Sequence, residues 1–346
     1  MANNLTAYQP NDFGVGVVIE ANTGTVVANT TQLFTDSVSM PSFSPDQDLS
    51  AKAGKFVADE AEIYSSSKNT PTEITATGLL NDTVLALLDG ILHTADTSDV
   101  ITIDDSYTAP HLYHNQSIGG APAKATYTVK LLSPAVTDDD GSSNSVNNSI
   151  HLPGCSVTAL SIFGDAGTDG GRLKYSVTFK TGYSPAFTGA AGSTTSPVVG
   201  GFRTIHDLAY RTIAGVVSPV LSSFNLSIEN PADYIGWDPV NNRPYTISRS
   251  VPEGPVINLS ATVKLDKDTS GLLANFMNAS KQTGLVNHMS DDSDQPADLL
   301  TSGGASEFGF HCDKAIITGM SLNEQAAMMY DVEQKLLFGT FKVRNS

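Results

Sequence analysis

One structural pattern occurs twice along this chain, and a repeated β unit constrains the fold more than any single motif does. In its first occurrence a β-type stretch, Glu73-Ile74-Thr75-Ala76-Thr77-Gly78-Leu79, leads through Asn81-Asp82-Thr83 into the leucine-rich run Val84–Leu92. In the second, Ile257–Leu265 leads through Asp268-Thr269-Ser270 into Leu272-Leu273-Ala274-Asn275-Phe276-Met277. Each is followed by a Cys-led stretch of alternating character, Cys155–Ile162 and Cys312–Met320. Asp82 to Asp268 is an offset of 186 and Cys155 to Cys312 one of 157, so the first copy carries 29 extra residues between helix and Cys-led hairpin, within about 99–149. A duplicated β unit without a catalytic set predicts a builder of rings or sheets.

The flanking segments fit that pattern. Residues 14–34 read as a hairpin, Gly14–Glu20 with Thr25–Ala28, turning at Ala21-Asn22-Thr23-Gly24. Residues 31–72 are polar, with strand-like islands at Phe34–Val38 and Ala61–Tyr64. In the first helix Leu85, Leu88, Ile91 and Leu92 fall at helical spacing, and Asp82 or Thr83 can cap it by accepting a backbone N–H. Strands are predicted near Val100–Ile103 and Ala125–Leu132, and the hairpin from Cys155 turns at Gly164–Gly171 to return on Leu173–Lys180. Residues 183–201 are the best linker candidate, and Leu221–Asn230 opens the second unit, again alternating. A last hairpin joins Ala315–Met320 to Met328–Val332, with a further strand possible over Leu336–Phe341. The fold class is therefore mainly β: two similar β-sandwich or split-barrel units, residues 1–190 and 200–346, each with a short flanking helix.

Composition bounds the function. With 346 residues and 40% hydrophobic content the chain can bury a sizeable core, while charged residues are only 16%. The net charge of −17 excludes a nucleic-acid grip, which Lys and Arg must supply, and adhesion to an anionic membrane. Two cysteines are too few for a disulfide framework and read as small buried apolar residues. Met1–Thr6 has neither a charged nor an apolar leader pattern, and no run approaches the roughly 18 apolar residues of a membrane span. A soluble protein made in the cytoplasm is expected.

Sites of chemistry are scarce. His111 and His114, the one close pair among seven histidines, sit beside Pro110 and Asn115 with no carboxylate or Cys at hand, so an ordinary loop is the better reading. Asp138-Asp139-Asp140-Gly141 fails the calcium-loop spacing at Val136 and Asn147, and Asp291-Asp292-Ser293-Asp294 reads as a solvated acidic tip. Gly164–Gly171 has no Gly-Lys-Ser/Thr and returns into a strand, so its glycines serve a turn. His311 precedes Cys312, but adjacent strand residues face opposite ways. Trp237 is the only Trp, which disfavours a sugar-cleaving site built on aromatic platforms. No catalytic, cofactor-binding or metal-binding residue is assigned, no cofactor is expected, and the chain is read as not an enzyme.

The order of these pieces over roughly 60–345 resembles the tail tube proteins of long-tailed bacteriophages. The carriers are Thr72–Leu92, Leu152–Ile162 with Gly170–Phe179, Leu221–Asn230, Val251–Lys264 and the helix at 270–278. The resemblance implies subunits that form rings stacked into a tube that conducts DNA, with one sheet of each unit lining the inner barrel and loops reaching the next ring. With two units per chain, it implies trimeric rings of pseudo-sixfold symmetry. It implies tail terminator, tape measure and baseplate proteins as partners and the virion tail as location, after synthesis in the host cytoplasm. DNA would pass an acidic or neutral wall without specific binding. Residues 31–72 have no assigned place, whether inter-ring arm or part of the first unit. The alternatives are a capsid decoration or tail-terminator protein, and a carbohydrate-binding surface β-sandwich.

Overall fold

The computed structural model describes residues 14–21, 23–41, 46–48, 50, 53–54, 56, 60, 64–66, 72–92, 100–102, 125–132, 136–137, 143–144, 149–187, 194–195, 202–238, 243–248, 256–267, 269, 271–277, 285–290, 308–324, 327–337 and 340–344. In chain order the strands begin with β1 (Gly14–Ile19), β2 (Thr30–Gln32), β3 (Ser37–Val38), β4 (Asp46–Asp48), β5 (Tyr64–Ser66) and β6 (Thr72–Leu79). Two short helices, α1 (Asp82–Leu85) and α2 (Leu88–Leu92), precede β7 (Val100–Thr102), β8 (Tyr127–Leu132), β9 (Val136–Thr137), β10 (Ser143–Asn144), β11 (Ile150–Asp165) and β12 (Lys174–Thr181). Then come β13 (Ala186–Phe187), β14 (Thr194–Thr195), β15 (Tyr210–Ile213), β16 (Val216–Val217), β17 (Leu221–Glu229), β18 (Ala232–Asp238), β19 (Arg243–Ser248) and β20 (Val256–Lys264). Helix α3 (Gly271–Met277) leads to β21 (Asn287–Ser290), β22 (Gly309–Cys312), β23 (Ala315–Glu324), β24 (Met328–Leu336) and β25 (Phe341–Arg344). The chain is mainly β, as its alternation requires. Among the described residues no helix is long and apolar enough to cross a membrane.

One antiparallel sheet runs through both halves in the order β3-β6-β12-β11-β17-β20-β24-β23. Period-two patterning sets it. In β12, Tyr175, Val177, Phe179 and Thr181 are buried while Lys174, Ser176, Thr178 and Lys180 are half-buried. Strand β20, and β17 from Phe224 onward, alternate in the same way, so one face packs and the other stays wet.

Strand β11, 16 residues long, also belongs to a second sheet, ordered β14-β2-β1-β8-β11-β13. It passes between the two sheets at Pro153-Gly154, where its register against β8 shifts and Gly154 takes φ 64°. Gly accepts that conformation without strain, and a Cβ there would lie 2.4 Å from the Tyr183 ring. Glu20 fastens this kink. Its Oε1 accepts from the Gly154 N–H at 2.9 Å and the Thr128 hydroxyl at 2.7 Å. Its Oε2 accepts from the Gly24 N–H at 2.9 Å and the Thr126 hydroxyl at 3.0 Å. A third sheet, β16-β15-β21-β22-β25-β7, serves the C-terminal half.

The layers meet through specific contacts. Tyr127 of β8 lies edge-on to Phe179 of β12, with centroids 6.4 Å apart. Asn287 of β21 and Gln334 of β24 exchange amide hydrogen bonds of 2.9 and 3.0 Å. Both amides are buried, so Gln334→Leu leaves Asn287 short of a partner and is expected to lower unfolding free energy by about 1–3 kcal/mol, read from urea denaturation. Helices α1 and α2 and the turn between them bury Val84, Leu85, Leu87, Leu88, Ile91 and Leu92. Asn81 caps α1 by accepting the Val84 N–H, and Asn230, just past β17, donates to the Ile91 carbonyl at 2.8 Å.

Several local expectations change. The single helix over 84–92 is two, because the Leu87 N–H turns to the Val84 carbonyl and breaks the four-residue ladder. The cap is Asn81 rather than Asp82 or Thr83. The partner of β1 is 30–32, not 25–28, since the Val27 N–H is taken by the Thr128 hydroxyl. The proposed linker 183–201 contains β13 and β14, which pair back onto β11 and β2. Val100–Thr102, early in the chain, pairs with β25 at the C-terminus. The hairpins β15–β16 and β18–β19 had no counterpart in the sequence reading.

Candidate functional site

The open face of the eight-stranded sheet is a field of small polar groups. One row across it runs Thr77, Ser176, Ser161, Ser227, Asn258 and Lys335. Hydroxyls and carboxylates on this face bond to one another: Thr75 to Thr178 at 3.0 Å, Thr262 to Asp331 at 2.7 Å, and Asn323 to Asp331 at 3.0 Å. Five acids, Glu73, Asp165, Glu229, Asp331 and Glu333, stand there with four lysines, Lys174, Lys180, Lys264 and Lys335. Five against four leaves the face one charge from neutral, although the chain carries −17. Lys174 also pairs with Asp169 in the turn before β12 and holds that carboxyl below the usual range. A hollow of about 580 Å³, lined by Phe163, Asn225, Ser260, Thr262, Asp331 and Glu333 among others, makes the face locally concave.

The sheet ends in two strands that, among the described residues, have a partner on one side only: β3, paired with β6, and β23, paired with β24. Each end carries an open apolar side chain, Met40 just beyond β3 at 40% exposure and Leu322 in β23 at 57%. Edges of this kind are templates for pairing with another chain.

The two halves can be compared strand by strand. Against β12, β11 carries its extra residue at Thr158; against β24, β23 carries it at Thr318. Just before these bulges Val157 faces Phe179 and Ile317 faces Gln334, and on the other side Phe179 faces Ile74 and Gln334 faces Leu259. In the outer sheets Cys155 faces Tyr127 and Cys312 faces Asn287. Tyr127 then touches Phe179, and Asn287 touches Gln334, so an aromatic pair in one half stands where an amide pair stands in the other. Seven residues after Ile74, Asn81 accepts the Val84 N–H; seven after Leu259, Asp266 accepts the Thr269 N–H. The outer orders β2-β1-β8-β11-β13 and β16-β15-β21-β22-β25 match, and hairpins β4–β5 and β18–β19 occupy the same place in each half.

Those residues weighed for chemistry that the structure describes lie elsewhere. His111, His114, Asp138–Gly141 and Asp291–Asp294 fall outside the described residues, although β9 and β10 pair on either side of the first acidic run. Gly164–Gly171 is a turn in which Asp165 accepts the Gly167 N–H. The Cys155 and Cys312 thiols are buried and donate to the carbonyls of Leu152 and Lys314, and burial pushes both up, away from a reactive thiolate. His311 bonds Asp313 at 2.8 Å, not Cys312. Among the described residues no group of three His, Cys, Asp or Glu could hold a metal. The sequence reading missed the edge residues Met40 and Leu322; an apolar residue in a polar stretch was the one available signal.

No protein-family model matches the chain, and no curated protein matches it in sequence.

Proposed function

We propose that this chain is a structural subunit of a bacteriophage tail tube, its two halves being copies of one β unit, and that it closes into rings which stack around a DNA-conducting channel. The observation that carries this reading is the strand order: β3-β6-β12-β11 recurs as β17-β20-β24-β23, laid end to end in one sheet. The shared bulges, caps and inter-layer pairs support descent from one unit. A sheet built by adding a second unit to the first has, at its ends, the same two kinds of edge that met in its middle. Head-to-tail addition continues it, and closure removes both edges. The concave polar face suits a wet lumen, and its near-neutral charge offers phosphates neither grip nor strong barrier. The hairpins β4–β5 and β18–β19, each a separate two-stranded sheet, are assigned to ring-to-ring contact, which gives part of 31–72 a role. Three chains would supply six units, and terminator, tape measure and baseplate proteins would meet the tube in the virion tail.

Negative-stain microscopy of the purified protein tests this. Stacked rings of three chains, retaining no DNA at physiological salt, are expected. Trimers that never stack would instead favour a decoration or terminator protein, and a stable monomer would favour a binding module; either result would overturn the tube.

A further inference from the structure

Resting on the ring reading above, we infer that the seam between subunits is an antiparallel pairing of β23 with the 37–41 edge of a second copy of this chain, with Leu322 opposite Met40. The template lies inside the molecule. Strand β11 pairs with β17 so that Ile162 faces Leu226 and Phe163 faces Asn225. The shared bulge maps Thr158 onto Thr318, an offset of 160, which carries Ile162 to Leu322 and Phe163 to Asn323. On the other side Phe224 faces Ala261 and Val38 faces Ala76, and these alanines are equivalent because each lies two residues past the residue opposite Gln334 or Phe179. That offset of 186 carries Leu226 to Met40 and Asn225 to Ser39.

Burial agrees with the mapping. Ile162 and Leu226 are 1% and 0% exposed in the internal seam, whereas Leu322 and Met40 are 57% and 40% exposed at the sheet ends. Each open apolar side chain thus stands where the internal seam has buried one. Backbone polarity agrees too. Strand direction alternates across the whole sheet, so β23 meets an incoming β3 antiparallel, as β11 meets β17. The Ser39 N–H donates inward to the Thr75 carbonyl, so by alternation the Met40 N–H points out of the free edge. The nitrogen of Pro41 falls back on the inward side and removes no donor from the seam. A second copy is the occupant because one chain carries both edges, matched in direction, register and apolar content.

The test is cysteine cross-linking of the full chain carrying both Met40→Cys and Leu322→Cys. Opposed residues in an antiparallel pair have Cα atoms about 4.5–5.5 Å apart, within the span of a disulfide. Oxidation is expected to shift the monomer band to a covalent ring species on a non-reducing gel, reversed by reductant, while native Cys155 and Cys312 stay buried and reduced. The control pairs Leu322→Cys with Val38→Cys, which moves one thiol about 7 Å along the strand, and should stay monomeric on the gel. A second variant, Leu322→Asp, should keep native circular dichroism and lose ring formation. Rings seen by microscopy with no cross-link in the first pair, equal cross-linking in the control, or rings undiminished by Leu322→Asp would overturn the seam and leave the ring reading intact. A chain that forms no rings at all would overturn both.

Discussion

Glu20→Ala will cost this chain about 4 kcal/mol of unfolding free energy, at the upper end for a single substitution. The carboxylate is 8% exposed and accepts four hydrogen bonds, two from backbone N–H groups of glycines and two from threonine hydroxyls. Removing it strands the Gly154 donor in a buried place, where water cannot replace it, and leaves the half-buried Gly24 donor without its acceptor. The hydroxyls of Thr126 and Thr128 can rotate toward other acceptors; the peptide N–H groups cannot. Glu20→Gln separates the parts of the effect: an amide nitrogen replaces one acceptor oxygen and faces two donors, for a loss of about 2 kcal/mol. Urea denaturation of the three proteins at neutral pH measures both. A cost under about 1 kcal/mol for the alanine variant would mean that Glu20 does not hold the passage of β11 between its two sheets.

Acid is expected to weaken the C-terminal half through His288. Its ring is fully enclosed, edge-on to Tyr210 at 5.2 Å and beside His311 at 5.6 Å, and among the described residues neither ring nitrogen has a hydrogen-bond partner. Burial, and secondarily the neighbouring His311, push its pKa down to about 4. The unfolded chain takes up this proton near pH 6.5 and the folded chain only near pH 4, so the contribution is complete above about 6.5 and is lost as pH falls toward 4. The full loss is on the order of 3 kcal/mol. His151 acts in the same direction, lowered by burial and then by Lys130. His288→Phe keeps the ring contacts and removes the proton, so its stability should fall less steeply across that window. Urea midpoints at several pH values decide it; parallel curves for native and variant proteins would exclude His288 as the source.

The strands were legible in the sequence where one face is dry and the other wet. Lys174–Thr181 alternates without a break and Phe224–Glu229 does likewise, and both are strands in the structure; the one lapse, at Ser222-Ser223, is where β17 shifts register against β20. Boundaries failed where side chains take over backbone partners: the Thr128 hydroxyl captures Val27, and Glu20 holds Gly24. Pairing between distant segments was not legible at all. Nothing local in Val100–Thr102 announces β25 as its partner, and nothing in Thr194–Thr195 announces β2. The same limit hid the open surface: Met40 and Leu322 are unremarkable in sequence and gain meaning only from the burial of Ile162 and Leu226. The contacts of Tyr127 with Phe179 and of Asn287 with Gln334 join segments far apart in the chain, and nothing local announces either.

The sheet described above holds an even number of strands, and that parity governs how such a chain can change. Adding or losing one strand would invert the polarity of every joint along a continued sheet, turning antiparallel joints into parallel ones with a different hydrogen-bond pattern. In the ring proposed above, a change of that kind would fail at all joints at once, however well the altered chain folds. Length can vary only where it leaves the count untouched: in hairpins that branch away, such as β4–β5 and β18–β19, or in loops at strand ends, such as the one between β9 and β10.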